Sequence, residues 1–379
     1  MPGVVLPSFP ENVLIQTLPV VDFDLLKNED FEETEKLWDA ATKLGFWYLK
    51  NHGAGDEADG MFAMGEETMD LPLEEKLKFS SGVTGGSFGY KAAGLNVTDD
   101  KGTPDTAEFL NVAKDDILSY PTITHRSYPD AVQRRMDDVL KPFVDKSLDV
   151  TCTVLRVFEK KLGLQEGSLL RRHAIGDPSG SEARCIRNPG KTRPTIISEG
   201  KVIEAPDKLA LGAHTDFGSL SFLHHNKLGG LQVLAPGTST WHYVKPIQGH
   251  AICNVGDALT IFSGGILRSA LHRVLPAPGE QAFFTRWSVV FFLRPGADVM
   301  LHALTEESSF VADAIAHLSE EDRKKFTPNQ TAGEWHARRV RGRKVASNVN
   351  GTNSYRSSAG MEHNPIAFQQ GISEIESAA

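Results

Sequence analysis

Cysteine is scarce. Three in 379 residues, Cys152, Cys185 and Cys253, are too few and too scattered for a disulfide framework or a thiolate zinc site. They read as reduced, partly buried thiols of a reducing compartment. Long apolar runs are missing as well. The longest, such as WSVVFFL at 287–293, suit a buried strand and fall far short of the ~18 residues that span a bilayer. The opening MPGVVLPSFPENV places no basic segment ahead of an apolar one, and the closing GISEIESAA is no peroxisomal signal, so the expected location is the cytoplasm. A surplus of positive charge is likewise absent. The net charge of −9 offers no basis for the surface that nucleic acid or an anionic membrane requires, and neither is an expected partner. No internal repeat and no linker is visible.

What is present is a chain of ordinary globular composition, 40% hydrophobic and 23% charged, long enough for a large core. One domain over 1–379 is expected, with a helix-rich part (1–180), a β core (181–296) and a helical and loop extension (297–379). Apolar residues at helical spacing predict a helix over 30–44, through Phe31, Leu37, Trp38, Ala41 and Leu44. GFWYLKNHG (45–53) reads as a strand closed by a turn, with His52 in a structural role. Further helices are expected over about 56–69 and 71–79, and 105–117 alternates enough to be partly strand. Gly82–Gly94 holds five glycines without a phosphate-loop context, and reads as a mobile loop that could serve as a lid. A long apolar stripe over 128–162 predicts a helix kinked or split by Pro142.

From Glu182 the pattern changes. Short apolar runs alternate with Gly, Pro, Asn and Asp turns: ARCIRNPG, LGAHTDFGSLSFL, GLQVL, WHYVKP, HAICNV, ALTIF, HRVL and RWSVVFFL. Strands repeating this closely predict a β-sandwich or barrel. After Pro295, DAIAHLSEEDRKKF reads as a helix pair and EWHARRVRGRK as a basic amphipathic helix, while 348–360 is rich in Asn, Ser and Gly.

Thirteen histidines are present, so chance pairing must be weighed. A lone histidine is more often a hydrogen-bonded structural residue than a ligand. His214-Thr215-Asp216 stands apart. Residues i and i+2 of a strand share a face, so an imidazole and a carboxylate can converge on one spot. His272, in SALHRVLP, is the candidate third ligand. Two histidines and one carboxylate suit a divalent transition metal and leave positions open for reactants. Gly212 and Gly218 bracket the first pair and are expected to give backbone room there. Downstream, Arg286 and Ser288 form another i, i+2 pair. A buried guanidinium needs an anion, either a structural Asp or Glu or the carboxylate of a small acid.

H-T-D, then S-x-x-H-R-V, then R-x-S resembles the Fe(II)/2-oxoglutarate-dependent oxygenases of the isopenicillin N synthase-like family. PVVDF (19–23), GFWYLKNHG, GGLQVL (229–234) and NVGDALTIFSGG (254–265) follow in family order, and GEWHARR (333–339) is similar to fungal members, which often serve specialised metabolism. The resemblance implies a double-stranded β-helix, or jelly roll, holding Fe(II) on His214, Asp216 and His272 as the catalytic centre. It implies 2-oxoglutarate on Arg286 and Ser288, and O₂-dependent oxidation of a C–H bond of a small molecule by hydroxylation, desaturation or ring rearrangement. Asn188-Pro189 stands where the family commonly has Tyr-Pro, which makes Asn188 a candidate co-substrate contact. Tyr90, Asn111 and Phe292 are candidates for the substrate pocket. Three alternatives remain open: an oxidase of the same fold that uses no 2-oxoglutarate, with Arg286 and Ser288 on the substrate's own carboxylate; a zinc hydrolase, although no HExxH helix is present; and a non-catalytic binding protein.

Overall fold

The period-2 alternation of RWSVVFFL sets the architecture. Trp287, Val289, Phe291 and Leu293 enter the large apolar core on one face, whereas Arg286, Ser288, Val290 and Phe292 line a cavity on the other. The computed structural model describes residues 6–81, 86–193, 195–196, 202–203 and 208–347. Its strands are β1 (Val20–Asp22), β2 (Phe46–Lys50), β3 (Gly89–Lys91), β4 (Glu108–Ala113), β5 (Glu182–Asn188), β6 (Thr195–Ile196), β7 (Val202–Ile203) and β8 (Leu211–His214). β9 (Leu220–His225), β10 (Leu231–Leu234), β11 (Trp241–Tyr243), β12 (Ala251–Val255), β13 (His272–Val274) and β14 (Arg286–Leu293) follow.

Eight strands form the larger sheet, in the order β1-β2-β12-β9-β14-β5-β4-β3, and four form the smaller, β11-β10-β13-β8. All pairs in both are antiparallel except β1 with β2. The two sheets face each other around the cavity as a jelly roll. Leu231 and Val233 from the small sheet meet Phe46, Tyr48 and Ile252 from the large one and close its floor. Four strands of the large sheet precede residue 181, so its pairing crosses from the helix-rich part into the β core.

Helices cover the outer face of the large sheet. Phe31–Lys43, capped by Asp30, buries Leu37, Ala40 and Ala41, although Phe31 itself is exposed. Gly55–Met69 and Lys141–Lys161 pack beside it and supply Met61, Met64, Phe143 and Phe158 to the core. The stripe over 128–162 is split rather than kinked: Pro142 sits in the first turn of Lys141–Lys161, directly after a π-helical segment Met136–Leu140. ALTIF is likewise helical rather than a strand: Asp257–Phe262 starts after Gly256 and stops at the glycine pair 264–265. The expected Gly82–Gly94 loop is described only from Gly86 and holds β3 at Gly89–Lys91; residues 82–85, like 348–360, lie outside the described residues.

The helix Ala332–Arg343 closes the cavity's open side. A capping box, Thr331 with Glu334, starts it. Trp335 and Arg339 fasten it to the core, and Arg339 reaches Asp257 in a fully buried ion pair at 2.8 Å.

Candidate metal centre

His214 ends β8, and its cross-strand partner in the register with β13 is His272, so sheet pairing alone sets the two imidazoles side by side. Their ring centroids lie 4.1 Å apart. Asp216 lies just past the assigned strand: β8 stops at His214, and the bend comes after Asp216, at 217–219. The i, i+2 argument thus names the right residue, two positions on from His214, although the strand itself ends before it. The segment is held by two hydrogen bonds: the Asp257 N–H donates to the Asp216 carbonyl at 2.8 Å, and Thr215 Oγ1 donates to Asp257 Oδ2 at 3.0 Å.

Second contacts leave one atom of each ligand facing inward. His214 Nδ1–H donates to the Gly212 carbonyl (2.8 Å) and His272 Nδ1–H to that of Ala270 (3.1 Å), so each Nε2 carries its lone pair into the cavity. Asp216 Oδ2 accepts from Ser221 Oγ (2.5 Å) and Asn254 Nδ2 (2.8 Å). Its Oδ1 lies 3.7 Å from both imidazole Nε2 atoms. Burial would raise the Asp216 pKa, but His272, Asn254 and Ser221 together hold it below the ordinary carboxylate value. Burial, then the neighbouring His272, keeps His214 neutral, its pKa well below that of a free imidazole. An ionised carboxylate and neutral imidazoles are the forms that bind a metal. Among the described residues this is the one group of three such side chains close enough to share an ion.

Arg286 and Ser288 line the same cavity from the large sheet, whereas the two imidazoles come from the small one. Arg286 Nε–H donates to the Gly229 carbonyl (2.8 Å) and Nη1–H to Ser288 Oγ (2.6 Å), with no carboxylate among the described residues to neutralise it. Burial pulls its pKa down to about 10. A guanidinium so enclosed is built for an anion that arrives from outside. Gly218 gives backbone room to Leu293, whose carbonyl would lie 2.6 Å from an added Cβ, rather than to a metal.

Known proteins bear on the same features. The 2OG-Fe(II) oxygenase superfamily model matches residues 198–295, and the model for the N-terminal part of the non-haem dioxygenase in morphine synthesis matches 18–132, together more than half the chain. The chain belongs to the 2-oxoglutarate–Fe(II) oxygenases. The fungal 2-oxoglutarate-dependent dioxygenase frbH of a Dothideomycetidae species is 28% identical over 76% of this chain and 84% of that one. The 2-oxoglutarate-dependent dioxygenase tropC of Talaromyces stipitatus is 29% identical over 73% of this chain and 83% of that one. Among solved structures, a full-length Neurospora crassa protein in complex with alpha-KG shares the fold at a TM-score of 0.67 and 22% identity, covering 89% of this chain and 99% of that one.

The oxygenase uses Fe(II) and 2-oxoglutarate, and its site fits both: three inward donor atoms for the ion and an unneutralised guanidinium for a dicarboxylate. The other predicted site residues divide. Phe292 lines the cavity. Asn111 lines an adjoining recess, with its carbonyl accepting from Arg184 Nε (2.7 Å). Asn188 pairs with Arg286 across β5 and β14, and its Oδ1 accepts from Thr106 (2.9 Å), but it is not part of the cavity lining. Tyr90 is a correction. It is the β3 partner of Leu110, on the helix-covered face, where its hydroxyl donates to Glu108 at 2.5 Å. Sequence reasoning missed Arg184, Arg294, His336 and Arg343, which line the end of the cavity away from Arg286. Only Arg184 left a readable trace, as a strand residue that alternates onto the same face as Ile186 and Asn188.

Proposed function

We propose that His214 Nε2, His272 Nε2 and Asp216 Oδ1 hold the iron, and that Arg286 with Ser288 takes the distal carboxylate of 2-oxoglutarate. The observation that carries this reading is the pairing of two inward-facing imidazoles with a buried arginine that no carboxylate neutralises among the described residues. Iron with 2-oxoglutarate supplies the oxidising power that breaks an unactivated C–H bond. The chain's own residues do the rest. The Arg286–Ser288 hydrogen bond fixes the fork for a carboxylate. Ser221 and Asn254 aim the Asp216 carboxylate. Phe46, Leu231, Ile252 and Val274 keep the floor dry. The substrate is a small organic molecule entering from the Arg184 side, oxidised by hydroxylation, desaturation or ring rearrangement, and fungal relatives named as 2-oxoglutarate-dependent dioxygenases support a place in specialised metabolism. Their dependence on 2-oxoglutarate favours it over an oxidase that dispenses with the co-substrate.

The test is succinate release from 2-oxoglutarate with Fe(II) and air. His214→Ala should lower it at least a hundredfold. Retained turnover in that variant contradicts the ligand assignment.

A further inference from the structure

The end of the cavity away from Arg286 carries more positive charge than its own carboxylate balances among the described residues. Of those residues, four arginines line the cavity, Arg184, Arg286, Arg294 and Arg343, against one acid, Asp216, which belongs to the metal centre. Glu182 lies behind this wall and serves two guanidiniums at once through a single atom, Oε1, with Arg184 at 2.7 Å and Arg294 at 3.1 Å. Its other oxygen is taken by Ser87 Oγ at 2.7 Å. One carboxylate for two guanidiniums leaves a net positive charge, in a chain whose overall charge is −9.

Arg184 is held as if for presentation. Nε is spent on Asn111 Oδ1 and Nη2 on Glu182, while Nη1 has no partner among the described residues. Its plane lies between two rings, 4.4 Å from the centroid of Phe109 and 4.7 Å from that of Phe292, which fixes the fork without consuming a donor. Arg343 comes from the last turn of the helix Ala332–Arg343 and borders both the cavity and the adjoining recess, which Lys91 and Lys344 also line. Lys91 is neutralised by Asp105. Phe217 and Val340 give this end an apolar flank. His336, kept neutral because burial and then Arg294 push its pKa to about 3, adds a polar atom and no charge.

We infer that the substrate is an organic acid, its anionic group held by Arg184 at the end of the cavity away from Arg286, which Arg343 also lines, and its apolar body lying against Phe217 and Phe292 toward the metal centre. This rests on the iron and co-substrate assignment proposed above, and deepens it by naming what the site takes. Two separate anion seats, one at Arg286 and one at Arg184, would let co-substrate and substrate bind without competing for one guanidinium.

The experiment follows the charge-transfer absorption of the anaerobic Fe(II)–2-oxoglutarate holoenzyme while aryl- and alkyl-substituted carboxylic acids are titrated in parallel with their primary amides. Acids should perturb the band, with affinities that fall as salt rises, and their amides should bind at least tenfold more weakly. Arg184→Gln should weaken acid binding at least tenfold. Because that change strips Glu182 of one of its two cations, Arg343→Gln serves as the second variant, on the half-buried end of its helix, with the same direction expected. Amides that bind as tightly as acids, a panel in which no acid perturbs the band, or acid affinities unchanged in both variants overturn the inference. Failure of the band to form at all is a different result: it overturns the iron and co-substrate reading, and this inference falls with it.

Discussion

Ser221 and Asn254 decide which oxygen of Asp216 faces the imidazoles, because both donate to Oδ2 and leave Oδ1 toward the cavity. Contacts of this kind orient a ligand without touching the metal, and their loss typically costs ~10–100-fold in affinity. Ser221→Ala should therefore weaken Fe(II) binding by about tenfold with the fold intact, read by anaerobic metal titration; unchanged affinity would mean that Asn254 alone suffices. Arg286 tests the other seat. Arg286→Lys keeps a charge but loses the planar fork that joins Gly229 and Ser288, so KM for 2-oxoglutarate should rise on the order of tenfold or more while iron affinity holds. A KM like that of the parent would move the co-substrate elsewhere. At this scale much of the candidate site was legible. His214, His272, Arg286, Ser288 and Phe292 follow from residue chemistry and strand alternation. Tyr90 did not, because β3 is three residues long and its register with β4 puts alternate residues on opposite faces.

Among the elements, the helix Ala332–Arg343 couples the two ends of the site. It contributes His336, Val340 and Arg343 to the cavity, and Arg339 ties it to Asp257, which also accepts from Thr215 and donates its N–H to the Asp216 carbonyl. One residue thus joins a helix that lines the cavity to the segment that carries a candidate metal ligand. Removing one partner of a buried ion pair costs about 3–5 kcal/mol, since the other charge is left stranded. Arg339→Met should lower unfolding free energy by about that amount in denaturant titration and weaken Fe(II) binding in the same protein. Loss of stability with unchanged metal affinity would uncouple the two. None of this was visible in sequence. EWHARRVRGRK reads as a basic amphipathic helix, but which arginine turns inward depends on Asp257, more than seventy residues earlier and beside a run that reads as a strand. The larger elements fared better: the helix over 30–44, β2, β5 and β14 all lie where periodicity places them.

Across the whole molecule, histidine burial sets the response to acid. His52 and His173 are each pushed to a pKa of about 4, first by desolvation, then by the nearby His250 for one and, against a hydrogen bond to Leu169, by Arg172 for the other. Their unfolded forms protonate near pH 6.5. In that window the unfolded chain binds more protons than the folded one, so stability is full above about pH 6.5 and is lost as pH falls toward 4, by on the order of 3 kcal/mol for each residue. His52→Phe, at a site ringed by Phe222 and His224, should flatten that slope in thermal midpoints recorded between pH 7 and 4.5. A slope like the parent's would place the acid sensitivity elsewhere. The molecule as a whole is a jelly roll that carries a net negative charge and yet concentrates arginine within, around one facial set of candidate ligands. The most direct test of that account is anaerobic titration of Fe(II) into the protein with 2-oxoglutarate present. The account predicts a charge-transfer absorption that saturates at one iron per chain, requires 2-oxoglutarate, and is lost in His272→Ala. A band of full intensity in His272→Ala, or one that forms without 2-oxoglutarate, would contradict it.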